Sequence, residues 1–590
     1  MILYDATRGR WLRFPRPQDV LCARSIGEVV PLLEEVERRV AHERAWAAGL
    51  LAYEASPAFD SAFAVHDPDP GGFPLAWFGI FAAEPQPAAL PAPDRAVGRE
   101  TGGRDGLASV AWAPSIDRDA YRAAIRAVLD RIASGDTYQA NFTFRLRASL
   151  GSGDRWQRFL RMIAAQGPGY GAYLQAGRWT ILSASPELFY SHDEGRIVSK
   201  PMKGTAHRGL WSEADERAAA ALRASEKDRA ENVMIVDMVR HDLGRIAEPG
   251  TVQVERLFDV ERYPTVWQMT STVACRTRAG LVEQMRALFP PASITGAPKV
   301  RTMEILASLE TTPRRIYTGT IGFLAPGGRS QWSVAIRTVV VDRETGEAEY
   351  GVGGGIVWDS TEEGEYEECR TKAKVLEHRL PAFALLETIR WTPEERFVLL
   401  EPHLARLAAS SVYFGRALDR DRIVRKLEEA ERRFSHAPLR VRLIVEADGA
   451  ARVEAEPLRA PFPEPYRLRL ASSPIDPADP LLYHKTTARS VYDRALEEAR
   501  AAGCDDALLW NPDGEVTETT IANLAIERGG RLLTPPVRSG LLPGTLRAAL
   551  LEEGKLAEAP IRIDDLRDGA RILLLNSVRG IWPATLVALR

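Results

Sequence analysis

Two pairs of carboxylates are spaced to act together. Glu365 and Glu368 stand three residues apart, and Asp228 and Glu231 repeat that interval. On helices, each pair presents both carboxylates on one face. Two such faces brought together offer oxygen ligands to one hard divalent cation, and Mg²⁺ suits them. The spacing alone fits two solvated helix faces equally well. Lysine is the second signal. Only nine of the 77 basic residues are lysines, and none precedes Lys200. Arginine fills the generic cationic roles but keeps its proton, whereas lysine can become a neutral nucleophile or base. Lys203 in Pro201-Met202-Lys203-Gly204-Thr205 and Lys485 in Tyr483-His484-Lys485-Thr486-Thr487 are therefore chemical candidates. The run Gly351-Val352-Gly353-Gly354-Gly355-Ile356 would let backbone N–H groups approach an anion. Arg337 and Lys372 are cations able to pair with carboxylates.

Such residues need elements to hold them. Ile125, Val128, Leu129 and Ile132 fall at helical spacing and predict a helix over 117–134, ended by Gly135-Asp136. Segments 179–182, 333–341 and 571–575 read as strands, which places Arg337 within a strand. Segment 362–380, without glycine after Gly364, reads as one long helix carrying Glu365, Glu368 and Lys372. Residues 1–82 read as a mixed α/β lobe and 83–106, rich in Ala, Pro, Gly and charge, as an exposed connector. The motif core spans 117–380, closing a first domain over 1–381. A break near Leu380-Pro381 opens a second domain over 382–590.

At 590 residues the chain exceeds one ordinary core, so two or more large units are expected. Its 45% hydrophobic and 27% charged content is that of a globular protein. A net charge of −3 gives no general attraction to nucleic acid or anionic lipid. No apolar run is long enough to span a bilayer, and no apolar core near the start marks an export signal. Cys22, Cys275, Cys369 and Cys504 show neither metal nor disulfide spacing, which suits a reducing cytoplasm.

Further segments complete the first pattern: 135–141, Ser185-Pro186-Glu187, Glu231 to Asp237 and Ile294-Thr295-Gly296-Ala297-Pro298-Lys299. In this order, over 117–380, they resemble the chorismate-utilising enzymes. The resemblance implies a central antiparallel sheet sandwich with helices outside, and a Mg²⁺ ion clamping a substrate carboxylate. It makes Glu231 and Glu368 metal ligands, with Asp228 and Glu365 outer or water-mediated ones. Glu187 becomes the acid that assists loss of the ring's 4-hydroxyl. Arg337, Tyr317, Thr295, Gly296, Lys372 and the amides of Gly354 and Gly355 become carboxylate binders, with Gln139 and Thr205 also at the substrate. Isochorismate and salicylate synthases carry Lys where Gln139 stands, and Gln cannot activate water. Anthranilate synthases carry Ala at Lys203 and His at Gln268. Lysine at this position resembles the aminodeoxychorismate-forming members, where it attacks C2 of chorismate before ammonia enters at C4. His241 stands where the family has Asn. No cysteine lies in a Gly-x-Cys-x-Gly elbow, so the resemblance implies a separate glutamine amidotransferase subunit as the ammonia source.

Beyond Pro381, the signals are Leu386-Glu387-Thr388-Ile389-Arg390, His403-Leu404-Ala405-Arg406, the Lys485 segment, 515–523, Leu541-Leu542-Pro543-Gly544-Thr545 and Asn576-Ser577-Val578. Pyridoxal phosphate needs a lysine, an acid for its ring nitrogen and a phosphate cup. Lys485, Glu518, and Arg406 with the Gly544 and Thr545 amides offer these. Together they resemble class IV pyridoxal-phosphate enzymes, whose fold is two-lobed and which include aminodeoxychorismate lyase; pairing of two copies through this domain is the matching expectation. In that chemistry the substrate amine displaces Lys485, which then removes the C4 proton as pyruvate leaves. Members of this class carry a further segment before the Leu386 strand. Here the first domain ends directly upstream, so either its last helix substitutes or the lyase is impaired. An anthranilate synthase with an attached aminotransferase, and a non-catalytic C-terminal docking module, remain open at this point.

Overall fold

The computed structural model describes residues 1–67, 72–91, 110–151, 154–376, 381–434, 437–458, 462–566 and 570–587. They fall into two units. Met1–His207 and Ala219–Leu380 form the first; Arg208–Ala218 and Pro381–Arg590 form the second. A single cut at 381 therefore misassigns one short piece of chain, residues 208–218.

Within the first unit, two ten-stranded sheets run antiparallel throughout their described pairings. Leu50, Phe323, Leu174, Ile181 and Val340, from both sheets, share one buried cluster, so the sheets pack face to face. Helix Ile26–Glu43 and helix Glu226–Gly244 bury apolar residues on the outer face of one sheet, including Leu33 and Ile235. Helix Arg118–Ala133 and helix Arg155–Gln166 do so on the other, through Ile125 and Phe159. Such a two-sided cover is what sheets with apolar faces on both sides require.

Capping sets the starts of the helices that matter for chemistry. Asp117 accepts from the Ala120 amide at 2.8 Å, so the first predicted helix begins at Arg118. The Ser225 hydroxyl accepts from the Asp228 amide at 3.3 Å, opening the helix that carries Asp228 and Glu231. Thr361 caps Glu362–Ala373, which carries Glu365, Glu368 and Lys372. That helix is shorter than expected: a 3₁₀ turn, Lys374–Leu376, follows it, and 377–380 lie outside the described residues.

Two other expectations change. The predicted strand over 333–341 is two strands, Ser330–Val334 and Thr338–Asp342, and they belong to different sheets. Arg337 sits in the crossover with φ of 51°, a left-handed turn. Part of the connector, Gln86–Ala88, pairs with Arg10–Arg13 at a sheet edge. The rest, from 92, lies outside the described residues.

The second unit holds a four-stranded antiparallel sheet around Leu385–Thr392 and an eight-stranded mixed sheet around Asn523–Arg528. Each builds its own core, around Val441 and Leu524 respectively. Its strand Ile572–Asn576 lies one residue beyond the predicted one. No helix among the described residues is long and apolar enough to cross a membrane.

Candidate active sites

The first unit contains a cavity of about 430 Å³ lined by Lys203, Glu187, Glu231, Glu368, Arg337 and Lys372, among others. The glycine run forms its floor from inside a strand. Glu347–Ile356 pairs with Gln139–Ser149 along its whole length, with Gly355 opposite Asn141. The glycines therefore make room for side chains. A β-carbon on Gly355 would lie 2.7 Å from Lys203 Nζ and 2.6 Å from Gln139 Nε2. On Gly354 it would lie 2.8 Å from Glu365 Oε2, and on Gly351 2.1 Å from the Tyr317 ring. Any larger residue would close the pocket.

The two lysines here have opposite fates. Burial pushes the Lys203 ammonium down, and Lys372 adds to this, while Glu231, Glu187 and Glu368 pull the other way. Lys372 is equally buried, yet its Nζ lies 2.6 Å from Glu368 Oε1 and donates to the Gly353 carbonyl at 2.8 Å. Those partners outweigh burial and hold its proton firmly. Lys203 is thus the one suited to nucleophilic work. Glu187, buried beside it, accepts from the Ser293 hydroxyl at 2.5 Å, and burial raises its pKa to about 7. It can hold a proton at neutral pH.

Asp228, Glu231, Glu365 and Glu368 all line the cavity. Burial raises Glu231, with Asp228 and Glu368 adding repulsion; burial and Glu368 do the same to Glu365. Glu365 Oε1 accepts from Ser360 at 2.6 Å, while Oε2 is buried without a hydrogen-bond partner. An orphaned carboxylate oxygen among mutually repelling carboxylates suits a divalent cation. Among the described residues, no three such side chains are gathered into a finished cage.

The remaining substrate candidates are distributed unevenly. Gln139 has both amide atoms buried and unpartnered, beside Lys203. Arg337 donates to the Lys372 carbonyl at 2.7 Å, leaving the rest of its guanidinium at the cavity wall. Thr205 hydrogen-bonds Gln268 at 3.0 Å, and the two are opposite in register. Thr295 is fully buried, its hydroxyl 3.2 Å from the Pro291 and Ala292 carbonyls, and does not line the cavity. Gly296 supports the wall instead: a β-carbon there would meet the Gln139 carbonyl at 2.1 Å. His241 is exposed in the last turn of its helix, away from the cavity. Sequence reasoning missed Asn141 and Ser293, which line the cavity, and Arg314 behind it. Buried Arg314 binds Glu310 at 2.6 Å and donates to the Asn141 and Ile294 carbonyls, joining three wall segments.

The second unit holds a cavity of about 420 Å³ containing Lys485, Glu518, Arg406, Gly544 and Thr545. Burial drives Lys485 down to about 7, helped by Arg406 and Arg489 and opposed by Glu387 and Glu518. Its carbonyl accepts from the Leu386 amide at 3.0 Å, fixing the lysine to the first strand of the unit. Glu518 accepts from Tyr492 at 2.9 Å, from the Leu542 amide at 3.1 Å and from Asn523 at 3.2 Å; burial raises it to about 7. Gly544 caps helix Thr545–Glu552, where a β-carbon would collide with Asn523 Oδ1 at 2.0 Å. The amides at that helix start suit a phosphate.

Arg406 is organised by residues whose roles sequence left unassigned. Its Nη2 donates to Glu387 Oε2 at 2.6 Å, and the same oxygen lies 2.6 Å from His403 Nδ1. Burial opposes the Glu387 charge, but Arg406 and His403 overcome it and hold the carboxyl down at about 2. His403 Nε2 reaches the Ser577 and Thr545 hydroxyls at 3.0 and 3.3 Å. The signal was present: His403 and Arg406, three apart on helix Leu400–Tyr413, share a face. A lysine, an acid and an anion cup on one cavity fit pyridoxal phosphate.

Residues 24–378 match the model of the chorismate binding enzyme family. The chain belongs to this family. Residues 384–587 match the model of amino-transferase class IV. The chorismate binding region is 43% identical over 272 residues to aminodeoxychorismate synthase component 1 of Salmonella typhimurium, covering 46% of this chain and 59% of that protein. It is 36% identical over 269 residues to anthranilate synthase component 1 of Aquifex aeolicus, covering 45% of this chain and 53% of that protein. The chain thus spans a little over half the length of these relatives. The solved anthranilate synthase component I of Streptococcus pneumoniae is 24% identical with a TM-score of 0.52, covering 62% of this chain and 91% of that one. That likeness concerns the fold: the chorismate binding unit shares its sheet sandwich.

Proposed function

We propose that the chain makes 4-aminobenzoate from chorismate in two consecutive reactions, in the cytoplasm. The carrying observation is Lys203, buried and pushed toward its neutral form, against Gly355 and beside Gln139 and proton-bearing Glu187. Lys203 attacks C2 of chorismate, both ring double bonds shift by one bond towards C4, and the 4-hydroxyl departs as water with a proton from Glu187. Ammonia then adds at C4 and expels Lys203, giving 4-amino-4-deoxychorismate. Arg337 and Lys372, both cationic, hold the substrate's carboxylates. Mg²⁺, held by Glu231 and Glu368 with Asp228 and Glu365 behind, supplies a further positive charge for a carboxylate when bound. A separate glutamine amidotransferase subunit supplies the ammonia, a reading supported by the relative's being named a component 1.

The second unit then removes pyruvate. Pyridoxal phosphate, when bound, supplies an electron sink. Lys485, its pKa lowered to about 7, takes the proton from C4 of the intermediate; Glu518 would pair with the cofactor's ring nitrogen and Arg406 with Thr545 would hold its phosphate. The four free cysteines suit a reducing compartment. Product analysis with chorismate, Mg²⁺ and an ammonium salt tests the reading. Formation of 4-aminobenzoate is expected; anthranilate as main product would contradict the first step, and accumulation of aminodeoxychorismate by a colourless protein the second.

A further inference from the structure

Residues 208–218 lie inside the stretch of sequence that matches the chorismate binding family, yet they belong to the second unit. They follow directly on strand Met202–His207, which carries Lys203. What fastens them is specific. Arg208 meets Asp215 with two contacts of 2.7 Å, both side chains nearly inaccessible to solvent. The Gly209 amide donates to the same carboxylate at 3.0 Å, and a β-carbon on Gly209 would strike the Asp215 backbone at 2.1 Å. The piece is therefore a short turn running into helix Ser212–Ala224, closed by a buried, two-pronged ion pair. Breaking such a pair is costly because either charge left alone stays buried.

The turn grips the wall behind Lys485. Arg208 donates to the Tyr413 carbonyl at 3.0 Å, and its guanidinium lies 4.4 Å from the Tyr413 ring centre. Tyr413 in turn packs on the His484 ring at 4.2 Å. Trp211 stacks on Tyr483 at 5.5 Å and 24°. Leu210 and Trp211 cover a core containing Leu482 and Tyr483. The turn thus presses on both residues that immediately precede Lys485, and His484 is further held by Ser410 at 3.0 Å.

We infer that residues 208–218 are a strap completing the second site: a positioning element, taken from the middle of the first unit's sequence, that fixes the Tyr483–His484 wall from which Lys485 projects. The second unit is then not encoded by 381–590 alone, and neither the last helix of the first unit nor an impaired fold is needed to explain its short start. Arg208, Trp211 and Asp215 act through Tyr413, Tyr483 and His484 and touch no reacting atom.

The inference rests on Lys485 being the cofactor lysine, and its test separates the two ideas. Arg406, Arg489, Glu387 and Glu518 act on Lys485 from the facing elements and are left unaltered, as is its burial among them. In the full-length chain without cofactor, the pH dependence of Lys485 acetylation is followed by peptide mass spectrometry, and pyridoxal-phosphate affinity is measured by absorbance. Trp211→Ala and Arg208→Ala should let water reach the lysine. The acetylation midpoint should rise from about 7 by about one unit, a tenfold change in proton affinity, and the cofactor should bind about tenfold more weakly. Trp211→Phe, which keeps the stack, should restore both. Arg208→Lys, which keeps the charge but not the two-pronged contact, should shift both by less and serves if the alanine variant does not fold. Folded variants with the midpoint and affinity of the unaltered chain overturn the strap. A shifted midpoint in a chain that never binds pyridoxal phosphate upholds the strap and removes the proposed lyase instead.

Discussion

The two cavities each bury one candidate lysine, but they surround it with opposite charge. Lys203 lies among Glu231, Glu187 and Glu368, all of which favour its ammonium form, so burial and Lys372 must lower its pKa against them. Lys485 has Arg406 and Arg489 as its leading neighbours, and these work with burial. The same residue is thus made neutral by different means. In the first cavity the carboxylates are the proposed Mg²⁺ holders, and any cation they bind would weaken their hold on the Lys203 proton. In the second, Arg406, proposed to hold the phosphate, also depresses the lysine. Metal dependence of a nucleophile is expected in the first and not in the second.

The largest effect should come from Lys203→Ala. Formation of aminodeoxychorismate should fall on the order of 10⁴-fold or more, as when a catalytic nucleophile is removed. With C2 open to ammonia, residual product should include anthranilate. Chromatography of the mixture decides, and near-normal aminodeoxychorismate formation would remove Lys203 from the role. Glu187→Gln should cost about 10²–10⁴-fold, the usual range for a general acid. The sign of its pH dependence follows from burial. In the proposed step Glu187 works protonated, so the unaltered chain should lose rate as pH rises through about 7. In the variant that alkaline fall should vanish.

Much of this was legible before the fold. The carboxylate pairs at 228/231 and 365/368 needed only helical geometry and capping residues, and Ser225 and Thr361 supplied the caps. The two lysines stood out because arginine had taken nearly every ordinary cationic site. Long-range features were not legible. Arg337 reads as a strand residue because its neighbours are apolar and β-branched, yet its positive φ turns the chain from one sheet to the other. Thr295 looked like a ligand-binding hydroxyl, but two local carbonyls engage it. The strap was invisible because nothing in Arg208-Gly209-Leu210-Trp211 names Tyr413 or Tyr483 as its partner, 205 residues beyond Arg208 and 272 beyond Trp211.

A smaller effect should separate the carboxylates from the lysine they surround. Glu231→Gln or Glu368→Gln should raise the Mg²⁺ concentration for half-activation, by at least the roughly 10–100-fold typical of disturbed metal sites. Glu231→Gln should also lower the Lys203 midpoint, because the carboxylate that most favours its ammonium form is gone. Unchanged Mg²⁺ dependence in both variants would mean that the acidic faces do not bind the ion. The smallest effect belongs to His241→Ala. Exposed at a helix end, it should change stability by less than about 0.5 kcal/mol and leave both reactions as they were; a thermal melt and the product assay check this.

The most direct measurement follows chorismate loss and 4-aminobenzoate gain separately in Lys485→Ala. Lys485 lies in the second cavity and the first cavity is lined by no residue beyond Lys372, so the two readouts should part. Chorismate should disappear at the normal rate while aminodeoxychorismate accumulates and 4-aminobenzoate formation stops. Undiminished 4-aminobenzoate would contradict the account, because the second reaction would then not depend on this lysine.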